Sequence, residues 1–441
     1  MMKPNEKQIV SQAAAQLQVL GKSECADEIV ATVSRQSGAW KKVKLGELAD
    51  FINGGSWSDK EYVANGIPVL KVTNCKPNGF ELDDISYLPL SAQSKYKKNE
   101  LKENDVIIAT VGSHPNLVNS SAGRTSIVNS IVKGYYLNQN AVCVRTKDNS
   151  ILNQRFFGYY SKYIDFQHYI QMRGKGAANQ MRIAIGAIKD YPMPLIPVHI
   201  QSSIATTLSR YDKLIENYHR QIKLLEEAAQ RLYKEWFINL HFPGHENVKV
   251  IDGVPEGWEK KRLVDIADIV MGQSPQSKYY NNDNEGLPFH QGVGSYGTRF
   301  VKDEVYSSSF TRIAEANSVL FSVRAPVGRL NITKHKIVIG RGLASLNHKE
   351  GKQSFLFYLL KERFFKDNII GNGAIFASIS KMELLELKFV IPTVELVERF
   401  NTIASRIDKD IANIDTQLTL LTESRDRLLP KLMSGEIELK I

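Results

Sequence analysis

Cysteine is scarce in this chain: three in 441 residues, Cys25, Cys75 and Cys143, odd in number and far apart. That spacing builds neither a disulfide framework nor a zinc site, and it fits a reducing cytoplasm. No apolar run approaches the ~20 residues that a membrane span requires. The Gln- and Ala-rich N-terminus has no apolar stretch of the signal-peptide kind. The expectation is a soluble cytoplasmic protein with no membrane partner. Catalytic signatures are missing too. Gly174-Lys-Gly-Ala-Ala-Asn-Gln lacks both the spacing and the hydroxyl of a phosphate-binding loop. No Gly-x-Gly-x-x-Gly joins a strand to a helix, and no Asn/Asp-Pro-Pro-Tyr/Phe is present to clasp an adenine amino group. The nine histidines form no His-Glu-x-x-His. His241 and His245 are four apart but straddle Pro243-Gly244, so they cannot share a helix face. No catalytic residue, metal or cofactor is therefore assigned to this chain.

What is present is a long repeat. Trp40, Leu45, Ala49, Gly54 and Ser56 return as Trp258, Leu263, Ala267, Gly272 and Ser274, at one constant offset of 218. Gly66-Ile67-Pro68 returns as Gly286-Leu287-Pro288. Each copy then reaches a glycine pair (Gly174-Lys-Gly176; Gly371-Asn-Gly373) and an Ile-Pro (Ile196-Pro197; Ile391-Pro392) before a long helical pattern. A period of this length means two tandem domains, not a solenoid, and the chain is long enough to give each its own core. The expected organisation is an N-terminal helical segment over 1–39, a first domain over 40–197 and a long helix over 198–242. A linker and second domain follow over 243–392, then a C-terminal long helix over 393–441. Within 1–39, Ile9, Ala13, Leu17 and Leu20 lie near helical spacing and Gly21 reads as a stop.

Short apolar runs set off by turn residues predict strands at Ile67–Val72, Val106–Val111, Thr125–Val128 and Ala141–Val144. The second copy has counterparts at Ser318–Val323 and Lys336–Ile339. An aromatic helix is expected over Arg155–Tyr169 and another over Phe355–Phe365. Between Val198 and Phe242 there is neither Pro nor Gly. Leu208, Ile215, Ile222, Ala229 and Trp236 fall seven apart, interleaved with Tyr211, Tyr218, Leu225 and Leu232. Adding 196 gives Ala404, Ile411, Leu418, Arg425 and Leu432, with Ile407, Ile414, Leu421 and Leu428 on the second row. Two matched heptad seams predict two helices of roughly 50–60 Å paired as an antiparallel coiled coil. Pro243-Gly244 should end the first, and Pro430 should kink or close the last turns of the second. The fold class is mixed α/β: two tandem α/β domains, each followed by a long helix.

The net charge of +10 is unevenly spread. Residues 40–195 carry +7 and residues 258–390 carry +6, whereas both helical stretches are neutral to acidic. Basic bodies beside helices that are not basic point to a polyanion partner, although a solvated surface carries the same charge. Candidate contacts lie on turns. Gly54, Gly55 and Ser56 match Gly272, Gln273 and Ser274. A glycine turn permits close backbone approach, and Ser or Gln bonds phosphate or base edges; an ordinary structural turn has the same residues. In the second copy Arg324, Arg329 and Arg341 sit on glycine-flanked turns, and Arg reads guanine in bidentate fashion. The matching stretches of the first copy are Thr110-Val-Gly112-Ser-His114 and Asn138-Gln139-Asn140. There the arginines give way to amide and hydroxyl groups suited to adenine or mixed contacts. Structural ion pairs are the alternative role for the arginines.

The order Trp-x-x-x-x-Leu-x-x-x-Ala, Gly-x-Gly, Ile-Pro and heptad helix, met twice, resembles the specificity subunit of type I restriction–modification enzymes. Leu320-Phe-Ser-Val-Arg324-Ala-Pro-Val-Gly328, Ile339-Gly340-Arg341-Gly342-Leu343-Ala344 and Pro192-Met-Pro-Leu-Ile196-Pro197 carry the likeness furthest. Phe389-Val-Ile391-Pro392, without a doubled Pro-x-Pro, departs from it, as does the N-terminal segment. The resemblance implies two target recognition domains, each reading half of an asymmetric bipartite site in double-stranded DNA. It implies helices that set the unread spacing and dock methyltransferase and restriction/translocase subunits. The seam residues Leu208, Ile215, Ile222, Leu225, Leu232, Ile407, Ile411, Ile414, Leu418, Leu421 and Leu428 would form that platform. S-adenosylmethionine, ATP and Mg²⁺ would act on the partner subunits and none on this chain. A tandem adaptor that binds proteins through its helices and nucleic acid nonspecifically is the alternative, but it leaves the differing turn chemistry unexplained.

Overall fold

A computed structural model describes residues 40–76, 79–113, 121–177, 180–364, 378–437 and 439. The N-terminal helical segment with Cys25, His114, Phe365 and the Gly371–Gly373 pair lie outside the described residues. The described residues form two compact units, one running up to 217 and resuming from 418, the other 218–417. Each long helix thus gives one part to each unit.

In the first unit the central sheet is antiparallel, in the order Ala49–Asn53, Ala141–Thr146, Val106–Ala109, Thr125–Ile127. Val142, Cys143 and Val144 are buried on both faces of its second strand, which explains the unbroken apolar run there. A second sheet pairs Ile67–Leu70 in parallel with Tyr136–Leu137 and antiparallel with Ser86–Leu88. Lys42–Lys44 pairs with Pro192–Pro194 and closes the body near its start and end. The second unit repeats this plan: Ala267–Met271, Leu343–His348, Val319–Ser322 and Leu330–Ile332 in one sheet, Leu287–His290 beside Ile337–Ile339 in another, and Glu259–Arg262 against Lys388–Ile391. The predicted strands are all found.

The aromatic helix of the first copy is two helices, Gln154–Tyr160 and Ile164–Gln171. The break has a cause. The Ser161 carbonyl leaves the helical ladder and accepts from Gln167 Nε2 at 2.5 Å and Thr125 Oγ1 at 3.2 Å. In the second copy the counterpart is one helix, Gln353–Phe364.

The first long helix is Val198–Phe237. It stops before Pro243 because the Asn239 and His241 amides turn back to the Lys234 and Glu235 carbonyls, with Leu240 at φ +60°. The second is Val394–Ser434; it runs through Pro430, and Gly435 follows at φ +74°, the usual left-handed stop. Pairing is antiparallel in both units. In the first, Ile204, Ala205 and Leu208 share a core with Leu429, Leu432 and Met433, and Arg425 reaches Asp212 at 2.8 Å. In the second, Tyr218 Oη donates to Gln417 Oε1 at 2.7 Å, while Tyr233, Trp236 and Phe237 pack on Phe400.

Burial along the seam is graded. Leu208, Ile222, Ile411 and Leu421 are buried, whereas Ile215, Leu225, Leu232, Ile407, Ile414, Leu418 and Leu428 are half-buried. Tyr233, Phe400, Leu429 and Met433, off the predicted rows, are buried instead. An α-helix has 3.6 residues per turn, so a seven-residue stripe drifts around it, and within each unit the body packs against that unit's own helix parts.

Candidate nucleic-acid interface

In each body the glycine turn leaves the central sheet and is tied to the loop that follows the neighbouring parallel strand. In the first, Gly54 N donates to Ala141 O at 3.0 Å, Gly55 N to Leu137 O at 2.7 Å and Asn138 N to Leu70 O at 3.0 Å. In the second, Gly272 N donates to Leu343 O at 2.9 Å, Gln273 N to Ile339 O at 2.9 Å and Gly340 N to His290 O at 2.8 Å. The two sets of three bonds correspond one to one. The approach is close enough that a Cβ on Gly54 would collide with the Asn138 carbonyl, and one on Gly272 with the Gly340 carbonyl. This is the constraint that places glycine at both positions.

The same frame carries different side chains. In the first body Ser56 Oγ donates to Gln139 Oε1 at 3.3 Å, and both side chains are exposed. The frame puts Arg341 of the second body where Gln139 stands in the first. There Ser274 Oγ donates to Gln291 Oε1 at 2.7 Å and accepts from the Arg341 amide at 3.3 Å. Gly340 and Gly342 make room for Gln291, since a Cβ on either would press on it. Arg341 and Gln291 are exposed. Arg324 is exposed as well and adjoins this cluster, because Val323 N donates to the Gly342 carbonyl at 2.9 Å.

Arg329 does not join them. It is half-buried and lines a cavity of about 460 Å³ with Glu226, Arg299, Phe357 and Lys361. Gln291 was not singled out in the sequence. The signal was available: it stands one residue beyond Leu287–His290, as Lys71 stands beyond Ile67–Leu70, so the Gly66/Gly286 alignment locates it.

Nothing in these turns is a catalytic constellation. Among the described residues no group of His, Cys, Asp and Glu side chains could hold a metal ion. His241 and His245 come within 5.8 Å ring to ring, but their Nδ1 atoms are held by Glu235 at 3.0 Å and the Phe242 carbonyl at 2.8 Å. Burial pushes the Cys75 thiol up to about 11 and also raises that of Cys143, which keeps both in the unreactive thiol form. Among the described residues no helix is long and apolar enough to cross a membrane.

Residues 38–227 and 255–423, together well over half of the chain, match the family described as "Type I restriction modification DNA specificity domain". A protein of Methanocaldococcus jannaschii named as the MjaX type I restriction enzyme specificity subunit is 26% identical over 407 residues, covering 91% of this chain and 94% of its own length. The HindI specificity subunit of Haemophilus influenzae is 19% identical over 476 residues, covering 90% and 99%. The crystal structure of a type I restriction-modification S subunit from M. genitalium superposes with a TM-score of 0.56 at 16% identity, covering 90% of this chain and 97% of that one.

Proposed function

This chain belongs to the type I restriction-modification specificity subunit family, whose non-catalytic members recognise DNA targets, and we propose that its two bodies each read one half of an asymmetric, bipartite site in double-stranded DNA. Methyltransferase subunits, and restriction/translocase subunits where the host has them, act at the site so chosen. S-adenosylmethionine, ATP and Mg²⁺ belong to those partners. The long helices carry the docking and the unread spacer.

One observation carries this reading: an identical frame of three backbone hydrogen bonds holds Ser56 and Gln139 in one body but Ser274, Gln291 and Arg341 in the other. A shared frame conserves the way a turn meets a groove, and changed side chains change the base edges it prefers. A duplicated chain of this kind reads two unlike halves, where a homodimer is limited to a palindrome. Frame and side chains together also separate the arginines. Arg341 and Arg324 are exposed on the turn cluster, whereas Arg329 is half-buried and lines the cavity with Lys361, which supports the first two as the readers.

Arg341→Ala, Arg324→Ala and Gln291→Ala, each assayed in the assembled complex, should weaken discrimination in one half-site by ~1–3 kcal/mol. Discrimination in the other half should be untouched. Binding to DNAs altered in each half, run beside thermal melts, reads this out. Uniform weakening on every DNA would make these residues phosphate contacts. A lower Tm with unchanged half-site preference would make them structural.

A further inference from the structure

Each unit contains the same polar cluster, built around a buried tyrosine, where its body meets the long helices. In the first unit Tyr159 Oη donates to Asp212 Oδ2 at 2.6 Å, and Arg425 Nη1 donates to Asp212 Oδ1 at 2.8 Å. In the second, Tyr358 Oη donates to Asp408 Oδ1 at 2.8 Å, and Arg299 Nη2 donates to the same oxygen at 2.5 Å. The members correspond by position. Tyr159 and Tyr358 are 199 apart, and so are Lys162 and Lys361, three residues further on. Asp212 and Asp408 are 196 apart, the offset of the two heptad seams. Tyr159 and Tyr358 are buried. Burial lowers the amine pKa of both lysines.

The arginine alone breaks the correspondence. Arg425 comes from the second long helix, at a place where the first long helix has Ala229. Arg299 comes from the body; it is 3% exposed, stacks on Phe357 at 3.9 Å and also reaches Glu226 of the first long helix at 3.4 Å. In both units one carboxylate on a helix is therefore clasped by a tyrosine from the body and an arginine. Both bonds to the carboxylate are charge-assisted and directional. Apolar contacts hold a body on a helix but tolerate sliding and rotation; a bond of this kind does not.

We propose that Tyr159–Asp212 and Tyr358–Asp408 are positioning pairs that fix the orientation of each body on its helices, and thereby the spacer length the protein accepts between half-sites. This rests on the bipartite reading above. Adding one base pair to a spacer moves a half-site by about 3.4 Å and turns it by roughly a tenth of a helical turn. A body held at one angle rejects that displacement, and a loosened body accommodates part of it.

The test uses the complex assembled with its methyltransferase subunits and a DNA series carrying the native target with spacers one base pair shorter, native and one longer. Tyr159→Phe and Tyr358→Phe remove only the hydroxyl and keep the buried ring. Each should raise methylation of the altered spacers relative to the native one by roughly tenfold, the scale of one charge-assisted bond. The double variant should raise it further. Base preference within each half should stay as in the parent. Asp212→Asn, which also loosens Arg425, should act in the same direction.

An unchanged spacer ratio in a Tyr→Phe variant, whether or not its Tm falls, overturns the proposal and leaves the pairs with a purely stabilising role. Relaxed base preference at fixed spacing overturns it too. The parent complex on the same DNA series tests the bipartite reading separately, since a parent indifferent to spacer length contradicts that reading, not the pairs.

Discussion

Ile411→Asp and Ile222→Asp should abolish assembly and with it recognition of both half-sites at once. Ile411 is 0% exposed and Ile222 5% exposed, each on the inner face of a long helix. Loss of the side chain alone, as in Ile→Ala, costs ~2–5 kcal/mol. A carboxylate placed there has no partner and carries a further desolvation penalty. That sum is comparable with the whole stability of a typical domain. Ile215→Asp and Leu418→Asp, at half-buried positions, can turn toward water and should be much milder. Co-purification with the methyltransferase subunits and methylation of the native target grade the four variants. Normal methylation by Ile411→Asp would mean that the helices do not depend on this seam.

The second large effect is expected at Arg299. Its guanidinium holds Asp408 and Glu226, whose side chains are 18% and 19% exposed, and it lies over the Phe357 ring. Arg299→Met keeps much of the volume but leaves two nearly buried carboxylates without their cation, and removing one partner of a buried pair costs ~3–5 kcal/mol. Adding Asp408→Asn should recover part of the loss, because one of the stranded charges is then gone. The coupling between the two substitutions, read by calorimetry as a double-mutant cycle, separates this from lost packing. Additive effects would place the contribution of Arg299 in its bond to Glu226 and its stacking on Phe357, not in the Asp408 pair.

The repeat was legible because it is written in residues with strong local consequences. Gly54 and Gly272 sit where a Cβ cannot fit, and the heptad rows foretold two helices of 40 and 41 residues. Pairing, by contrast, is settled in three dimensions. Tyr233 and Phe400 displaced Leu232 and Ile407 from full burial because helix drift and the flanking bodies decide which side of a stripe is covered. The split of the first aromatic helix depended on Thr125, far away in sequence, accepting the role of donor to the Ser161 carbonyl. The Gly66/Gly286 alignment locates Gln291 one residue beyond its strand, but its bond to Ser274, on another turn, is visible only in the folded frame. At Asp212 and Asp408 the tyrosines, lysines and aspartates keep the repeat offsets, but the arginines come from different elements, and only the fold brings the members together.

We propose that one chain reads two unlike half-sites at a fixed separation. Methylome sequencing of the host with and without this gene tests it most directly. The expected result is the loss of one asymmetric bipartite motif of methylated adenine, two specified halves around an unspecified spacer of one length. Loss of a palindrome, loss of a single short motif, or an unchanged methylome in a host that expresses the partner subunits would contradict it.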